Sequence, residues 1–426
     1  MELVLLKGGW IALVFVLLLM FKEIYMDAIN WRWYLKQKWV FLKVAVPELN
    51  ERSPLAFENV LNQLHAMHTN KTWAELYIEG VVQIWLSWEV TSIGGKIGNY
   101  VRIPEKYRDT LEAAIYSQFP QAEISEAEDY FEHLPRYDPE TSDFDIFAWT
   151  FKLTKPDPYP IRTYLDFEHP TADTFVDPMS GAWEEMNKLS QHEMFVIQYI
   201  LRPVGNDWKH SGYQLVKKLK GEPAANRAPR SRATEALSFL INPFLDLFIS
   251  HPEPLTGRAQ KEEPPSLMLH LSEGEKDIIT AIERSLSKWG YQSKIRCLYL
   301  APKAVFNRGP IVPAIVGAFK AYGSDNLNSL KPDLSRWTKV NYFLFEKLEK
   351  NFTRFRTDWR KRRLMKAIRT RWYYAGLKAY ILNVEEIASV LHFPGIDVTV
   401  PEIEKVAVTK VQPPPELPVA ADYKRP

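Results

Sequence analysis

Few stretches of the sequence combine residue types and spacing that could bind a nucleotide. Gly94-Gly95-Lys96 resembles the end of a Walker A loop, in which backbone N–H groups cradle phosphates. However, Val90 stands where that motif needs its first glycine, and Ile97 stands where Ser or Thr would bind Mg²⁺. We therefore expect the two glycines to form a hairpin turn, and we expect no ATPase activity from this chain.

The histidines and the single cysteine also lack the partners that catalysis or metal binding requires. His65 and His68 are three positions apart on a predicted helix, but neither has an acidic partner at metal-ligand spacing. His192-Glu193 does not complete an HExxH motif, and Cys297 lies in a predicted strand, which favours a buried, unreactive thiol. We expect no catalytic residue, no metal site and no cofactor, so the sequence predicts a protein that is not an enzyme.

A basic and aromatic segment near the C-terminus is the strongest electrostatic feature. Asp358 is the only acidic residue among its cations, and aromatic side chains are interspersed with them. This composition suits a nucleic-acid backbone with stacked bases, anionic lipid headgroups, the chain's own acidic stretch at 121–145, or a solvated helix. The candidate nucleic-acid-binding or lipid-binding residues are Arg354, Arg356, Arg360, Lys361, Arg362, Arg363, Lys366, Arg369 and Arg371.

The overall composition limits the classes of protein to which this chain can belong. A length of 426 residues is enough for two or three folded units. The net charge of +2 argues against a wholly basic protein that coats nucleic acid. One cysteine excludes an intramolecular disulfide and a zinc site built from several cysteines. Residues 121–145 contain nine acidic residues and one Arg, which predicts a solvated connector.

The elements that would position these residues begin with an apolar N-terminal stretch. Leu3–Phe21 spans nineteen residues with one charge, Lys7. As a helix it would be about 28 Å long, close to the ~30 Å apolar core of a bilayer. A signal peptide would have a shorter apolar run followed by small residues at a cleavage site. We therefore predict a retained membrane anchor that includes Leu3, Trp10 and Phe21, continued by a juxtamembrane helix to residue 38.

The charges that flank this stretch predict its orientation. Five basic residues lie between positions 22 and 43, whereas Lys7 is the only basic side chain on the N-terminal side. Positively charged flanks stay in the cytoplasm. The prediction is therefore a single-pass protein whose body faces the cytoplasm.

The body is predicted to be α+β, with two ferredoxin-like units. Residues 39–130 show strand and helix patterns in the order β-α-β-β-α-β, which is typical of a ferredoxin-like sandwich. Residues 145–322 repeat this pattern with an interruption, a polar and basic insertion near 220–266 that we expect to be flexible. A long basic helix and a short docking helix follow in 335–395, and the Pro-rich 396–426 should form an extended tail.

The short C-terminal helix carries a resemblance to a known family. Tyr380–Pro394, with the sequence YILNVEEIASVLHFP, and the proline-rich 413–418 are similar to the segment upstream of the motor domain in certain coupling ATPases. These are the conjugative-transfer and type IV secretion ATPases of the FtsK/HerA superfamily in bacteria. Other stretches resemble the membrane-anchored N-terminal parts of the same proteins, so the likeness covers most of residues 40–418. They are 101–104, 115–120, 177–181 and 273–277.

The resemblance implies an anchored partner of a motor. In the coupling ATPases the Pro-rich linker leads into the P-loop domain, whereas this sequence ends at Pro426, so no catalytic residue can be transferred. The implied protein is a non-catalytic docking or assembly component in the bacterial inner membrane, with a separately encoded P-loop translocation ATPase as partner. Homo-oligomerisation is expected by analogy with ring-shaped motors. The predicted partner-docking residues are Asn383, Glu385, Glu386, His392, Phe393 and Pro394.

The alternative function is a membrane-tethered DNA-binding protein that uses segment 354–374 directly. An affinity that falls steeply with salt concentration would identify that function. A further alternative is an enzyme whose pocket only a structure can reveal.

Overall fold

An antiparallel sheet organises the protein. The computed structural model describes residues 10–46, 52–167, 177–221, 271–340 and 346–394. Within these ranges the sheet has nine strands, and the predicted mixed α+β class is confirmed. The strands are β1 (Trp39–Ala45), β2 (Leu86–Ile93), β3 (Lys96–Pro104), β4 (Glu123–Glu126), β5 (Phe144–Leu153), β6 (Met194–Val204), β7 (Gly290–Pro302), β8 (Leu330–Pro332) and β9 (Tyr380–Asn383).

Several helices begin at signals that are visible in the sequence. Pro54 occupies the first turn of its helix, where the missing N–H costs nothing. Asn383 and Glu386 form a capping box, in which each side chain accepts the other's backbone N–H at 2.9 Å. The α-helices are α1 (Trp10–Leu35), α2 (Pro54–Leu64), α3 (Arg108–Gln118), α4 (Ser180–Asn187), α5 (Asp207–Leu219), α6 (Glu273–Ser287), α7 (Ile311–Ala321), α8 (Glu346–Arg369) and α9 (Val384–Val390).

The first half of the sheet has the element order of a ferredoxin-like sandwich. Its strands lie side by side as β4-β1-β3-β2, and α2 packs against α3. The hairpin between β2 and β3 turns at Gly94 and Gly95, whose φ angles are +60° and +85°. Such positive φ angles at both turn residues favour glycine. The Walker-like glycines therefore form a turn, as predicted.

The second half of the sheet repeats the arrangement of the first half. Its order β8-β5-β7-β6 matches β4-β1-β3-β2 strand for strand, and α4 packs against α7. The halves join edge to edge where β2 and β6 pair antiparallel, from Leu86 opposite Leu201 to Ile93 opposite Met194. The two halves thus share one continuous sheet.

The compact units differ from the predicted domains. Of the described residues, those up to 206 and those from 288 onward form one unit, and those within 207–287, where α5 packs against α6, form a second. The predicted boundaries at 145 and 335 do not separate units because β6 pairs with β2, and β9 pairs with β7. Most of the predicted insertion near 220–266, and the tail 396–426, lie outside the described residues.

The two faces of the sheet are covered differently. Helices α2, α3, α4, α7 and α9 contribute to one large apolar core with inward-facing residues of the strands. Helix α8 packs on the opposite face, where a smaller apolar cluster lies beneath it. Because successive strand residues point to opposite faces, each central strand supplies side chains to both layers.

The predicted anchor lies only partly within the described residues. Leu3 falls outside them, and the stretch from Trp10 to Phe21 belongs to α1. No helix in the described ranges combines the length and apolar character needed to cross a bilayer. The C-terminal end of α1 is packed, because the Tyr34 ring stacks on Trp85 with a centroid distance of 5.4 Å.

Candidate binding surface on the basic helix

The basic segment forms α8, which is held on the sheet by a narrow apolar stripe. Leu364, Met365 and Ile368 are buried in a cluster with residues of β5, β6 and β7. Burying side chains of this size stabilises a fold by about 1.5–3 kcal/mol each. The remaining sides of the helix carry its charged residues together with exposed aromatic side chains.

One side of α8 pairs with the acidic stretch 121–145. Lys361 Nζ lies 2.5 Å from Asp145 Oδ1, and Arg362 Nη2 lies 3.3 Å from Asp138 Oδ1. Arg354 lies 3.7 Å from a carboxylate oxygen of Glu140. The C-terminal part of the acidic stretch, residues 138–145, is therefore a counter-surface for α8. Of the alternatives for the basic segment, pairing within the chain accounts for these three cations.

Arg371, the last candidate binding residue, is buried and paired. Its guanidinium donates to Glu89 (Nε to Oε1, 2.8 Å; Nη2 to Oε2, 2.9 Å) and to Asp129 (Nη2 to Oδ1, 3.0 Å). Burial opposes its charge, but these carboxylates, Glu89 foremost, outweigh burial and raise the pKa of Arg371 well above its ordinary value. Glu89 also accepts hydrogen bonds from Tyr130 and Gln198. The prediction that Arg371 binds nucleic acid or lipid is corrected, because its side chain is 2% exposed.

Two cations of β7 hold the end of α8 from the sheet side. Arg296 is buried and donates to the carbonyl oxygens of Ala367 (3.1 Å) and Trp372 (2.8 Å). Lys294 donates to the carbonyl oxygen of Tyr373. Ala367 lies in the last turn of α8, where carbonyls carry partial negative charge and favour cations, and Trp372 and Tyr373 lie in the segment directly after the helix. Burial lowers the pKa of Arg296 to about 10 and that of Lys294 to about 7.

The side of α8 that faces away from the sheet is exposed, and we call it the outer face. Phe355 is 67% exposed and Trp359 is 51% exposed, and the Arg363 guanidinium lies over the Trp359 ring at 5.0 Å. Within the described residues, the cations of this face form no ion pair with a carboxylate. Shallow depressions of about 990 and 540 Å³ follow its C-terminal half. The outer face consists of Phe355, Arg356, Trp359, Arg363, Lys366 and Arg369.

The predicted docking residues lie in the core, and this prediction is corrected. Asn383, Glu385, Glu386, His392 and Phe393 are each less than 5% exposed, and Pro394 is partly buried. They are buried because α9 packs against α2 and β9 extends the sheet at β7. In this conformation their side chains cannot contact a partner without unpacking the core.

The remaining candidates from the sequence have structural roles. The His65 ring stacks on Trp289 at 4.7 Å, and His65 Nε2 lies 3.0 Å from the Val204 carbonyl oxygen. Burial raises the pKa of the Cys297 thiol well above its ordinary value, which disfavours the reactive thiolate. In the described part of the chain, no three His, Cys, Asp or Glu residues are grouped so that they could hold a metal ion.

Sequence reasoning missed a row of polar residues beneath α8. Glu89 pairs in register with Gln198, and Gln198 pairs with Arg296, so they cross β2, β6 and β7 side by side. Part of the signal was present, since Gln198 interrupts the apolar run Met194–Leu201 and Glu89 is the one charged residue of β2. Such residues almost always have a buried partner. Glu89, Asp129, Gln198, Arg296 and Arg371 form what we call the polar cluster.

These features define a class of protein: a duplicated α+β sheet with a basic helix fastened across one face through a buried polar cluster. The chain belongs to the family described as "Domain of unknown function (DUF8128)", whose model matches residues 34–406. That range includes every strand of the sheet and the whole of α8. No curated protein matches the sequence.

Proposed function

We propose that this protein is a membrane-anchored, non-catalytic assembly component of a DNA- or protein-translocating machine. Its proposed location is the bacterial inner membrane, with the body in the cytoplasm. Its proposed partner is a P-loop translocation ATPase, which is the partner implied by the sequence resemblance. The observation that carries the membrane part of this proposal is the apolar surface of α1.

Helix α1 is apolar around its whole circumference along two turns. From Val14 to Phe21 every side chain is apolar and at least 42% exposed. Successive helical residues are about 100° apart, so eight in a row face every direction. Transfer of these side chains from water would contribute on the order of 10 kcal/mol, even if only their exposed half is counted. A helix that is apolar all round favours a membrane or a large core over water.

The other end of α1 joins the body next to the basic helix. The rings of Trp31 and Trp372 meet edge to face with a centroid distance of 5.1 Å, and Trp372 also contacts Tyr34. Trp372 directly follows Arg371 of the polar cluster. A membrane-inserted α1 would therefore hold α8 close to the membrane surface, which suits a protein that couples a soluble motor to a bilayer.

Vesicle flotation tests the membrane part of the proposal. The full-length chain should float with vesicles of neutral phosphatidylcholine, because α1 needs no lipid charge. Replacing Val16 and Leu18 with Asp should abolish flotation, since one Asp near the middle of a membrane helix costs about 2.5–3.5 kcal/mol. The matched control is Val305→Asp, at an apolar residue of the body with 50% exposure, and it should float normally. Flotation that survives both α1 substitutions would exclude this anchor.

Binding of the purified P-loop ATPase tests the partner. Full-length protein in nanodiscs should retain the ATPase, and the protein alone should hydrolyse no ATP. Hydrolysis by the chain unaided, unchanged through repeated purification, would overturn the non-catalytic assignment.

Direct DNA binding remains the second candidate function. Arg354, Lys361, Arg362 and Arg371 already pair with carboxylates of this chain, which leaves five of the nine cations for a phosphate backbone. Each phosphate contact contributes about 0.9 to the slope of log affinity against log salt. A slope steeper than about −4 that is lost on replacing Arg363, Lys366 and Arg369 with Gln would favour DNA binding.

A further inference from the structure

A small depression beside α8 has three arginines in its lining. It has a volume of about 250 Å³ and lies between α8, the loop after β8 and the turn at Gly376. Arg360 and Arg363 come from α8, and Arg336 comes from the loop. Among the described residues that line it there is no carboxylate, and Thr150 adds a hydroxyl group, whereas the Ser335 hydroxyl already donates to Asp333 at 2.8 Å. The three guanidinium groups therefore make the lining cationic and supply most of its hydrogen-bond donors.

Backbone contacts hold two of these guanidinium groups in place. Arg336 Nη1 donates to the carbonyl oxygen of Gly376 at 3.0 Å, and Arg360 Nη1 donates to that of Trp337 at 3.2 Å. Each contact uses one of the five N–H donors of an arginine. The remaining donors stay available for a ligand. Gly376 has a φ of +89°, so this turn needs a residue without a Cβ.

The charge of the three arginines is poorly compensated. The carboxylate nearest to them in the described structure is Asp333, 4.0 Å from Arg336 Nε, and Lys152 Nζ is closer to it at 3.1 Å. Burial foremost, and then the neighbouring charge of Arg356, lower the pKa of Arg360, and the opposing effect of Asp333 is too weak to offset them. That direction is expected for a cation whose counter-charge is weak.

We propose that this depression binds the phosphoryl group of a small phosphate monoester. Arginines bind phosphate oxygens through paired N–H···O bonds, and three around one site match a doubly charged terminal phosphate. A volume of about 250 Å³ is below the roughly 300–1,000 Å³ of sites for drug-sized ligands, so a single small headgroup fits better than a nucleotide. The phosphoryl group has two possible sources, a soluble phosphate monoester or the headgroup of phosphatidic acid. Only the lipid source depends on the proposed membrane association.

Calorimetric titration with glycerol 3-phosphate tests the site. The full-length chain is held in nanodiscs of phosphatidylcholine. The apolar side chains of α1 then lie in lipid, and no phosphate monoester lipid competes with the probe for the depression. The R360Q/R363Q variant should bind the probe about 100-fold more weakly, because each arginine–phosphate interaction contributes about a factor of ten. The R354Q/R356Q variant removes the same charge from α8 at residues that do not line the depression, and its affinity should stay within about twofold. R363K should be intermediate, because lysine keeps the charge but loses the paired geometry.

Competition in nanodiscs distinguishes the two sources. If phosphatidic acid displaces the probe and phosphatidylglycerol, a diester, does not, then the ligand is a lipid headgroup. If neither lipid displaces it, then the ligand is a soluble monoester. Equal displacement by both lipids, equal losses in the two double variants, or no binding by the wild-type chain would each overturn the proposal. Flotation on neutral vesicles does not involve the three arginines, so the membrane proposal succeeds or fails separately.

Discussion

Replacing Arg371 with methionine tests whether the polar cluster holds α8 on the sheet. The guanidinium makes four hydrogen bonds to two carboxylates, Glu89 and Asp129. The Asp129 side chain is 22% exposed, so water can replace its lost bonds, whereas that of Glu89 is fully buried. The cost is therefore dominated by Glu89 losing its counter-charge. Removal of one partner of a buried ion pair costs about 3–5 kcal/mol, and we expect R371M to lose that much.

Urea unfolding of the full-length chain, followed by tryptophan fluorescence, measures this loss. The matched control is R369M, two residues away, because Arg369 is partly exposed and has no carboxylate partner within the described residues. Its effect should stay within about 0.5 kcal/mol. E89Q/R371M should lose less than the sum of the two single variants by about 2 kcal/mol, since the neutral amide no longer needs a counter-charge. If R371M costs under about 1 kcal/mol, or equals R369M, the reasoning is refuted.

Three further predictions concern buried acid–base groups and glycines. Burial raises the pKa of Glu386 to about 8, so the folded state holds a proton on this carboxyl that the unfolded state loses at about pH 5. The free energy of unfolding should therefore fall as pH rises from about 5 through 8. In urea titrations, E386Q should reduce this pH dependence. Although burial opposes the charge of His392, Asp177 at 3.3 Å outweighs it and raises the pKa. That stabilisation is full below about pH 6.5 and is lost as pH rises through the folded-state pKa, so H392Q should destabilise more at about pH 5 than at about pH 9. In thermal unfolding, Gly95→Ala should lower the stability of the fold by over about 1 kcal/mol, because φ is +85° and a Cβ would lie 2.7 Å from the Asn187 carbonyl oxygen. Gly317→Ala, on α7 with open space around it, should raise the stability by about 0.5–1 kcal/mol.

Local patterns in the sequence predicted much of the secondary structure. The alternating runs around β2, β6 and β7 and the glycine pair at the hairpin are visible without coordinates. Strand pattern and turn chemistry depend on residues only a few positions apart, which explains why they can be read directly. The domain boundaries were harder to predict, because the β2–β6 pairing joins strands about 110 residues apart.

The burial of the predicted docking residues was missed for a related reason. The segment Asn383–Pro394 has the caps and periodicity of a short helix, and such a pattern does not reveal what covers it. Phe393 packs its ring against Phe57 of α2 and against Phe119, which directly follows α3, and both are far from it in the sequence. A helix of seven residues buried on all sides resembles a surface helix until its neighbours are known.

The sequence by itself determined the α+β class and the apolar helix. It also determined the basic segment and the acidic stretch 121–145, which carries the opposite charge. Only the tertiary structure decided which cations are paired and which are exposed. Nine basic residues look alike in the sequence, but Arg371 is buried against Glu89, Lys361 faces Asp145, and Arg363 lies on the outer face beside an exposed tryptophan. The physical reason is that charge is a property of a residue, whereas its energy depends on solvent and on counter-charges within a few ångströms. Strand pairing brings those neighbours together from parts of the sequence that are up to hundreds of residues apart. A local sequence pattern therefore cannot predict them.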